Sequence, residues 1–147
     1  MNPTPSAGWF EGREHQLPVR VYYEDTDFTG VVYHANYARY FERGRSDFLR
    51  LAGVHHNELA AREDASAFVV TRLAMDFLKP ARIDDALLVR TTYDVVRGPR
   101  LFIRQTLTRG EDLIARAEVE AACITLGGRP RKPTRDLLER LRPLLQP

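Results

Sequence analysis

Residues 21–51 read VYYEDTDFTGVVYHANYARYFERGRSDFLRL, and their periodicity decides the fold. Tyr37, Tyr40, Phe41, Gly44, Phe48 and Leu51 recur at spacings of 3, 1, 3, 4 and 3. That is one face of an α-helix. Arg39, Arg43, Arg45, Asp47 and Arg50 fill much of the remainder. The pattern predicts an amphipathic helix of about four turns. Gly53 is the expected residue just past its end, where a left-handed backbone is wanted. His34, Ala35 and Asn36 are all candidates for the cap or first turn, and Asn36 is the best cap by type. Gly44 on the apolar face costs about 1 kcal/mol of helix propensity. Close packing of the helix on a sheet accounts for it.

Ahead of the helix, residues 17–23 (LPVRVYY) have the composition of a strand. Between the two lies Glu24-Asp25-Thr26-Asp27-Phe28-Thr29-Gly30. Three carboxylates this close repel one another when ionised, so a turn ending on Gly30 has to point them apart.

Beyond the helix, residues 54–65 read as a polar loop with a helical turn. His55 and His56 are adjacent there, so their side chains diverge; they read as exposed histidines rather than metal ligands. Residues 67–78 (AFVVTRLAMDFL) have strand composition, broken by Lys79-Pro80-Ala81. Leu87, Val89, Thr91, Tyr93 and Val95 alternate, then Leu101, Ile103, Gln105 and Leu107. Last come Ala115, Ala117, Val119, Ala121 and Cys123, opposed by Arg116, Glu118 and Glu120. Arg97-Gly98-Pro99-Arg100 and Gly110-Glu111-Asp112 are the turns between these runs. Short turns join antiparallel neighbours. The expected class is therefore α+β, a sheet of about five strands covered by one long helix. A basic loop over residues 127–133 leads to a second helix over 135–145, capped by Thr134, with Leu137, Leu138, Leu141 and Leu145 as its stripe.

Composition narrows the function classes. A chain of 147 residues, 44% hydrophobic and 29% charged, suits a single domain. Residues 1–16 are expected to be a flexible arm and 17–147 the folded domain. The net charge of +2 is too small to point to nucleic acid. The one cysteine, Cys123, excludes an internal disulfide and reads as a small core residue. No membrane-length apolar stretch or signal peptide stands out, so a cytoplasmic protein without membrane insertion is the expectation.

The chemistry converges near Asp27. A helix start presents free N–H groups and the positive end of its dipole. A carboxylate facing it suits acyl transfer: the N–H groups hold an oxyanion while the carboxylate activates water or attacks. There is no Gly-x-Ser-x-Gly elbow. The bland reading is that acids before a helix simply stabilise it.

The run Tyr23-Glu24-Asp25-Thr26-Asp27, followed by Gly30-Val31-Val32-Tyr33-His34-Ala35-Asn36-Tyr37, resembles the signature of the 4-hydroxybenzoyl-CoA thioesterase family. It is most similar to the Tol–Pal-associated acyl-CoA thioesterase group. Phe41-Glu42-Arg43 and the Lys79-Pro80-Ala81 break with Asp84-Asp85 extend the likeness over residues 19–126. The resemblance implies a hotdog fold, a long helix wrapped by a curved antiparallel sheet, working as a homodimer or homotetramer. It implies acyl-CoA hydrolysis with no metal or redox cofactor, on substrates carried by CoA or by an acyl carrier protein. Carried over position by position, Asp27 is the catalytic aspartate, acting as general base or nucleophile, and His34 supplies the oxyanion amide. Gly30, Val31 and Tyr33 line the substrate site at a subunit interface, and Arg97, Arg100 and more weakly Arg72, contributed by the partner subunit, meet the CoA. The loop cations Arg129, Arg131 and Lys132 are further weak candidates. Glu42, on the helix, is the rival base by likeness to a second class of these enzymes. Phe28-Thr29 departs from the small residues usual before the glycine. The alternatives are a non-catalytic acyl-CoA or acyl-carrier-protein binding module and, further off, a hotdog dehydratase using His34 with Asp27.

Overall fold

A computed structural model describes residues 3–5 and 7–147. The sheet has six strands: β1 (Trp9–Glu11), β2 (Glu14–Arg20), β3 (Ser66–Phe77), β4 (Ala86–Arg97), β5 (Arg100–Arg109) and β6 (Asp112–Thr125). Their order is β1-β2-β4-β5-β6-β3, and every pairing is antiparallel. The long helix is α1 (His34–Leu51); shorter helices are α2 (His56–Ala61) and α3 (Arg135–Leu141). Among the described residues no helix is long and apolar enough to cross a membrane.

The expected α+β arrangement is present, with one strand more than anticipated. The extra strand comes from the segment expected to be a loose arm. Residues 9–11 and 14–16 form a hairpin instead, with Phe10 set edge-on to Phe48 and His15. Asp47 on α1 ties it down, accepting from the Gly8 amide at 2.8 Å and lying 2.7 Å from His15 Nε2. Burial pulls the His15 pKa below its ordinary value, against the opposing effect of Asp47. β2 stops at Arg20, short of the expected Tyr23, because residues 23–25 turn into one 3₁₀ turn.

α1 lies across the sheet on the face its pattern requires. Tyr37, Tyr40, Phe41, Gly44 and Phe48 are buried as expected, but the stripe finishes on Leu49 while Leu51 is exposed. The end of the helix explains the shift. Gly53, at φ +87°, donates to the Arg50 carbonyl, and Val54 donates back to Leu49. This double closure brings Val54 back to the helix end, where it is buried in the core with Leu49 while Leu51 stays outside. Phe48 stacks on Tyr93 at 4.2 Å between ring centroids.

A polar cluster fixes the helix on the sheet. Gln105, buried, donates to the Phe41 carbonyl at 2.7 Å and to Thr91 at 2.9 Å, and accepts from Arg45 at 3.0 Å. Burying these groups is tolerable because each has a partner. At the other end, α3 stops at Leu141 and one 3₁₀ turn over Arg142–Leu144 replaces the rest of the expected helix. Thr134 stands at the cap position, though its hydroxyl donates to Asp136 rather than accepting from the helix.

β3 closes the sheet on one side and is paired only with β6. Val69, Val70, Leu73 and Phe77 on it are 38–50% exposed, and its register slips once between Val70 and Arg72.

Candidate active site

The segment between β2 and α1 is a tight β-turn braced on both sides. The Asp27 amide donates to the Val31 carbonyl and the Gly30 amide to the Asp27 carbonyl, each at 3.0 Å, and Thr26 bridges Val32. Gly30 sits at φ +83°, a conformation that costs other residues a steric clash. Val31 bridges Arg82, and the Val32 amide donates to Ala81 at 2.8 Å, fastening the turn to the segment before β4.

Asp25 and Asp27 take opposite roles, which is how the acidic cluster avoids self-repulsion. Asp25 is buried and inward. Its carboxylate accepts from the Tyr22 amide at 2.8 Å, and its carbonyl accepts from the Tyr33 amide at 2.9 Å and the Asn36 side chain at 2.8 Å. Asn36 is therefore not the helix cap. Tyr33 holds that position, with no side-chain cap, and Asn36 lies in the first turn, tying the helix to the acidic loop. The Asn36 side chain is taken by the Asp25 carbonyl instead.

Asp27 faces outward and is only half-buried. One of its oxygens, Oδ1, accepts from the Thr29 amide at 2.8 Å and the Thr29 hydroxyl at 2.5 Å. The hydroxyl, then the amide, hold the carboxylate below its ordinary pKa, and His34 is near enough to push the same way. His34 opens α1. The amides on either side of its turn are occupied, Tyr33 donating to Asp25 and Asn36 to Tyr33. Among the described residues no acceptor meets the His34 or Ala35 amide, as expected for a helix start. The His34 ring lies between Tyr33, at 4.5 Å, and Phe77, at 6.4 Å, and Phe77 in turn contacts Tyr37 at 5.4 Å.

The structure thus gathers Asp27, Gly30, Val31, Tyr33 and His34 within one turn and one helix end. It does not bring the expected cations to them within this chain. Arg97 and Arg100 pair at the β4–β5 hairpin, with Arg97 5.5 Å over the Phe102 ring. That hairpin is separated from the Asp27 turn by the length of β4, roughly 36 Å. Arg72 lies mid-strand on β3, within 4.0 Å of Glu118. Arg131 is turned away to the Asp64 carbonyl. Glu42 lies about 12 Å along α1 from His34 and accepts from Ser46 at 2.7 Å. His55 meets Arg50 at 3.3 Å and His56 sets its ring against Phe68, so the two histidines do diverge. Cys123 is fully buried, and burial raises its thiol pKa, which suits a core residue.

Three residues here escaped the sequence reading: Asp25 and Asn36 as braces, and Thr29 as a partner of Asp27. Thr29 did carry a signal, since Asp-x-Thr before glycine is the pattern of a turn closed by its own side chains.

The family model of the thioesterase-like superfamily matches residues 21–141. The chain belongs to that superfamily. The thioesterase is 44% identical over 111 residues to the acyl-CoA thioesterase YbgC of Haemophilus influenzae, covering 76% of this chain and 81% of that one. The crystal structure of a probable thioesterase from Bartonella henselae superposes with a TM-score of 0.80 at 41% identity, over 82% of this chain and 99% of that one. A 4-hydroxybenzoyl CoA thioesterase mutant, complexed with 4-hydroxybenzoyl CoA, superposes at TM-score 0.79 over 87% of this chain and 98% of that one. At 20% identity this last likeness speaks for the fold alone. The fold is the hotdog, and the protein is a thioester hydrolase.

Proposed function

We propose that this thioesterase hydrolyses acyl-CoA, with Asp27 as base or nucleophile and the His34 amide as oxyanion donor. The observation that carries this reading is the outward carboxylate of Asp27, set in the turn that leads into a helix start whose His34 amide meets no acceptor among the described residues. The thioester carbonyl oxygen accepts from the His34 amide, where the helix dipole favours developing negative charge. Asp27 takes the proton of a water that adds to the carbonyl carbon, or adds there itself and is released by water. The carbon–sulfur bond then breaks, CoA leaves as its thiolate and takes up a proton, and the free acid remains. Gly30 allows the backbone to approach the substrate, and Val31 and Tyr33 line its path.

The test is thiol release, followed with a thiol-reactive dye, over short, long, branched and aromatic acyl-CoAs and acyl carrier protein thioesters. Turnover of acyl-CoA supports the reading and ranks the substrates. Turnover of carrier-protein thioesters alone reassigns the substrate, and saturable binding without thiol release overturns the catalytic roles.

The site is completed, in this proposal, by a second copy of the chain. Within one chain Arg97 and Arg100 are at the wrong end of the sheet. On its β5 side that hairpin leads to the Val69 end of β3, since Arg100 pairs with Ala122 of β6 and Ala122 with Val69. The Phe77 end of β3 carries the His34 contact. Two β3 edges paired antiparallel set one chain's Val69 end beside the other's Phe77 end, which moves a hairpin cation pair toward each Asp27. The exposed Val69, Val70 and Leu73 would be covered in the same step. Sedimentation velocity is expected to show a dimer or tetramer for the wild type and a monomer for Leu73→Lys, with CoA affinity reduced. A wild-type monomer with full activity rules out the shared site.

A further inference from the structure

The two residues that set this turn apart, Phe28 and Thr29, do different things. Phe28 is fully exposed. Thr29 reaches back, and its hydroxyl and amide both end on Oδ1 of Asp27, at 2.5 and 2.8 Å. Oδ2 accepts no hydrogen bond from any described residue. The carboxylate is therefore pinned by one oxygen and offers the other.

The turn does not need the hydroxyl for its shape. The Asp27–Val31 and Gly30–Asp27 backbone bonds and the Thr26–Val32 bridge already close it. A side chain that adds nothing to closure and acts on the Asp27 carboxylate is positioned for that carboxylate.

We propose that Thr29 is a positioning residue of the thioesterase: its hydroxyl fixes the rotamer of Asp27 and leaves Oδ2 as the one reactive oxygen. This rests on the reading of Asp27 as base or nucleophile. The consequence is twofold. Reactive geometry is set before substrate arrives, since a carboxylate free to rotate about its last bond aligns only part of the time. The two donors also favour the charged form, so Asp27 stays ionised further into acid than a bare aspartate.

The test uses the full-length chain and the thiol-release assay across pH. Thr29→Val keeps the amide and the branched shape but loses the hydroxyl. It is expected to keep the wild-type melting temperature and KM and to lower kcat about tenfold, the usual worth of a hydrogen bond to a charged group. The acid limb of kcat/KM should move to higher pH, because the carboxyl then holds its proton more tightly. Thr29→Ser should restore both rate and limb, and Thr29→Ala should repeat Thr29→Val. An unchanged kcat and limb in Thr29→Val and Thr29→Ala overturn the proposal, as does a loss confined to KM, which marks a substrate contact instead. Asp27→Asn in the same assay separates the two ideas. If it is inactive while Thr29→Val is wild type, only the role of Thr29 falls. If it turns over normally, the assignment of Asp27 falls, whatever Thr29 does.

Discussion

Asp27→Asn is expected to fold as the wild type does and to lose most acyl-CoA turnover. The fold is spared because the turn is closed by backbone groups, Asp27 N–H to Val31 and Gly30 N–H to Asp27, which the substitution leaves in place. The side-chain oxygen of asparagine can still accept from Thr29. What is lost is the ability to take a proton or to attack a carbonyl, so kcat should fall by about 10²–10⁴ while KM changes little. The sign of the pH dependence follows from the same contacts. The Asp27 pKa is depressed, chiefly by the Thr29 hydroxyl, so wild-type activity should persist well into the acidic range and decline only as pH falls through that lowered value. The residual rate of Asp27→Asn should lack this acid limb. A pH–rate profile on both proteins decides the matter, and wild-type turnover by Asp27→Asn would send the search for the base to Glu42.

Gly44→Val is expected to be the most damaging single change to stability on the central helix. A Cβ placed on Gly44 meets Val89 Cγ1 at 2.6 Å, Thr91 Oγ1 at 2.8 Å and Gln105 Nε2 at 3.0 Å. None of the three can step aside cheaply. Val89 and Thr91 are fully buried on β4, and the Gln105 amide is held by the Phe41 carbonyl and Thr91. Even alanine must therefore separate helix from sheet or break the Gln105 bonds, at about 1–3 kcal/mol. Valine adds two methyl groups to the same gap and should cost more, against the gain in helix propensity of about 1 kcal/mol that alanine brings. Urea unfolding of Gly44→Ala and Gly44→Val beside the wild type measures it. Stability equal to or above the wild type in both would show that the helix can shift on the sheet.

The parts of the fold written as periodicity were the legible parts. The α1 stripe and the alternation over β4, β5 and β6 are set by burial on one face, and burial leaves a period in the sequence. The β1–β2 hairpin left none: Trp9–Glu11 is three residues long, next to glycines, and is held by Asp47 from α1, a partner that local pattern cannot reveal. The same holds for the cap. Asn36 has the right side chain for capping, but Asp25 claims it from across the turn. The stripe ends two residues before the expected Leu51, on Leu49, where the Gly53 closure turns the chain back. At the candidate site, residues adjacent in sequence, from Asp27 to His34, were readable as a group. Arg97 and Arg100 do not join that group within one chain, since strand register puts them at the far end of the sheet, and pattern along one sequence carries no record of which surface a second copy covers.

The β3 edge also bears on how this chain behaves at high concentration. A twelve-residue edge strand with Val69, Val70, Leu73 and Phe77 in the open is a template to which any extended chain can add. Two features interrupt it. The register slip beside Thr71 breaks the ladder in mid-strand, and Arg72 follows at once with its charge in solvent. The apolar edge is thereby cut into two short runs, each too brief for an indiscriminate partner to grip. Replacing Arg72 with an apolar residue would join them, and turbidity at high concentration would be the sign of it.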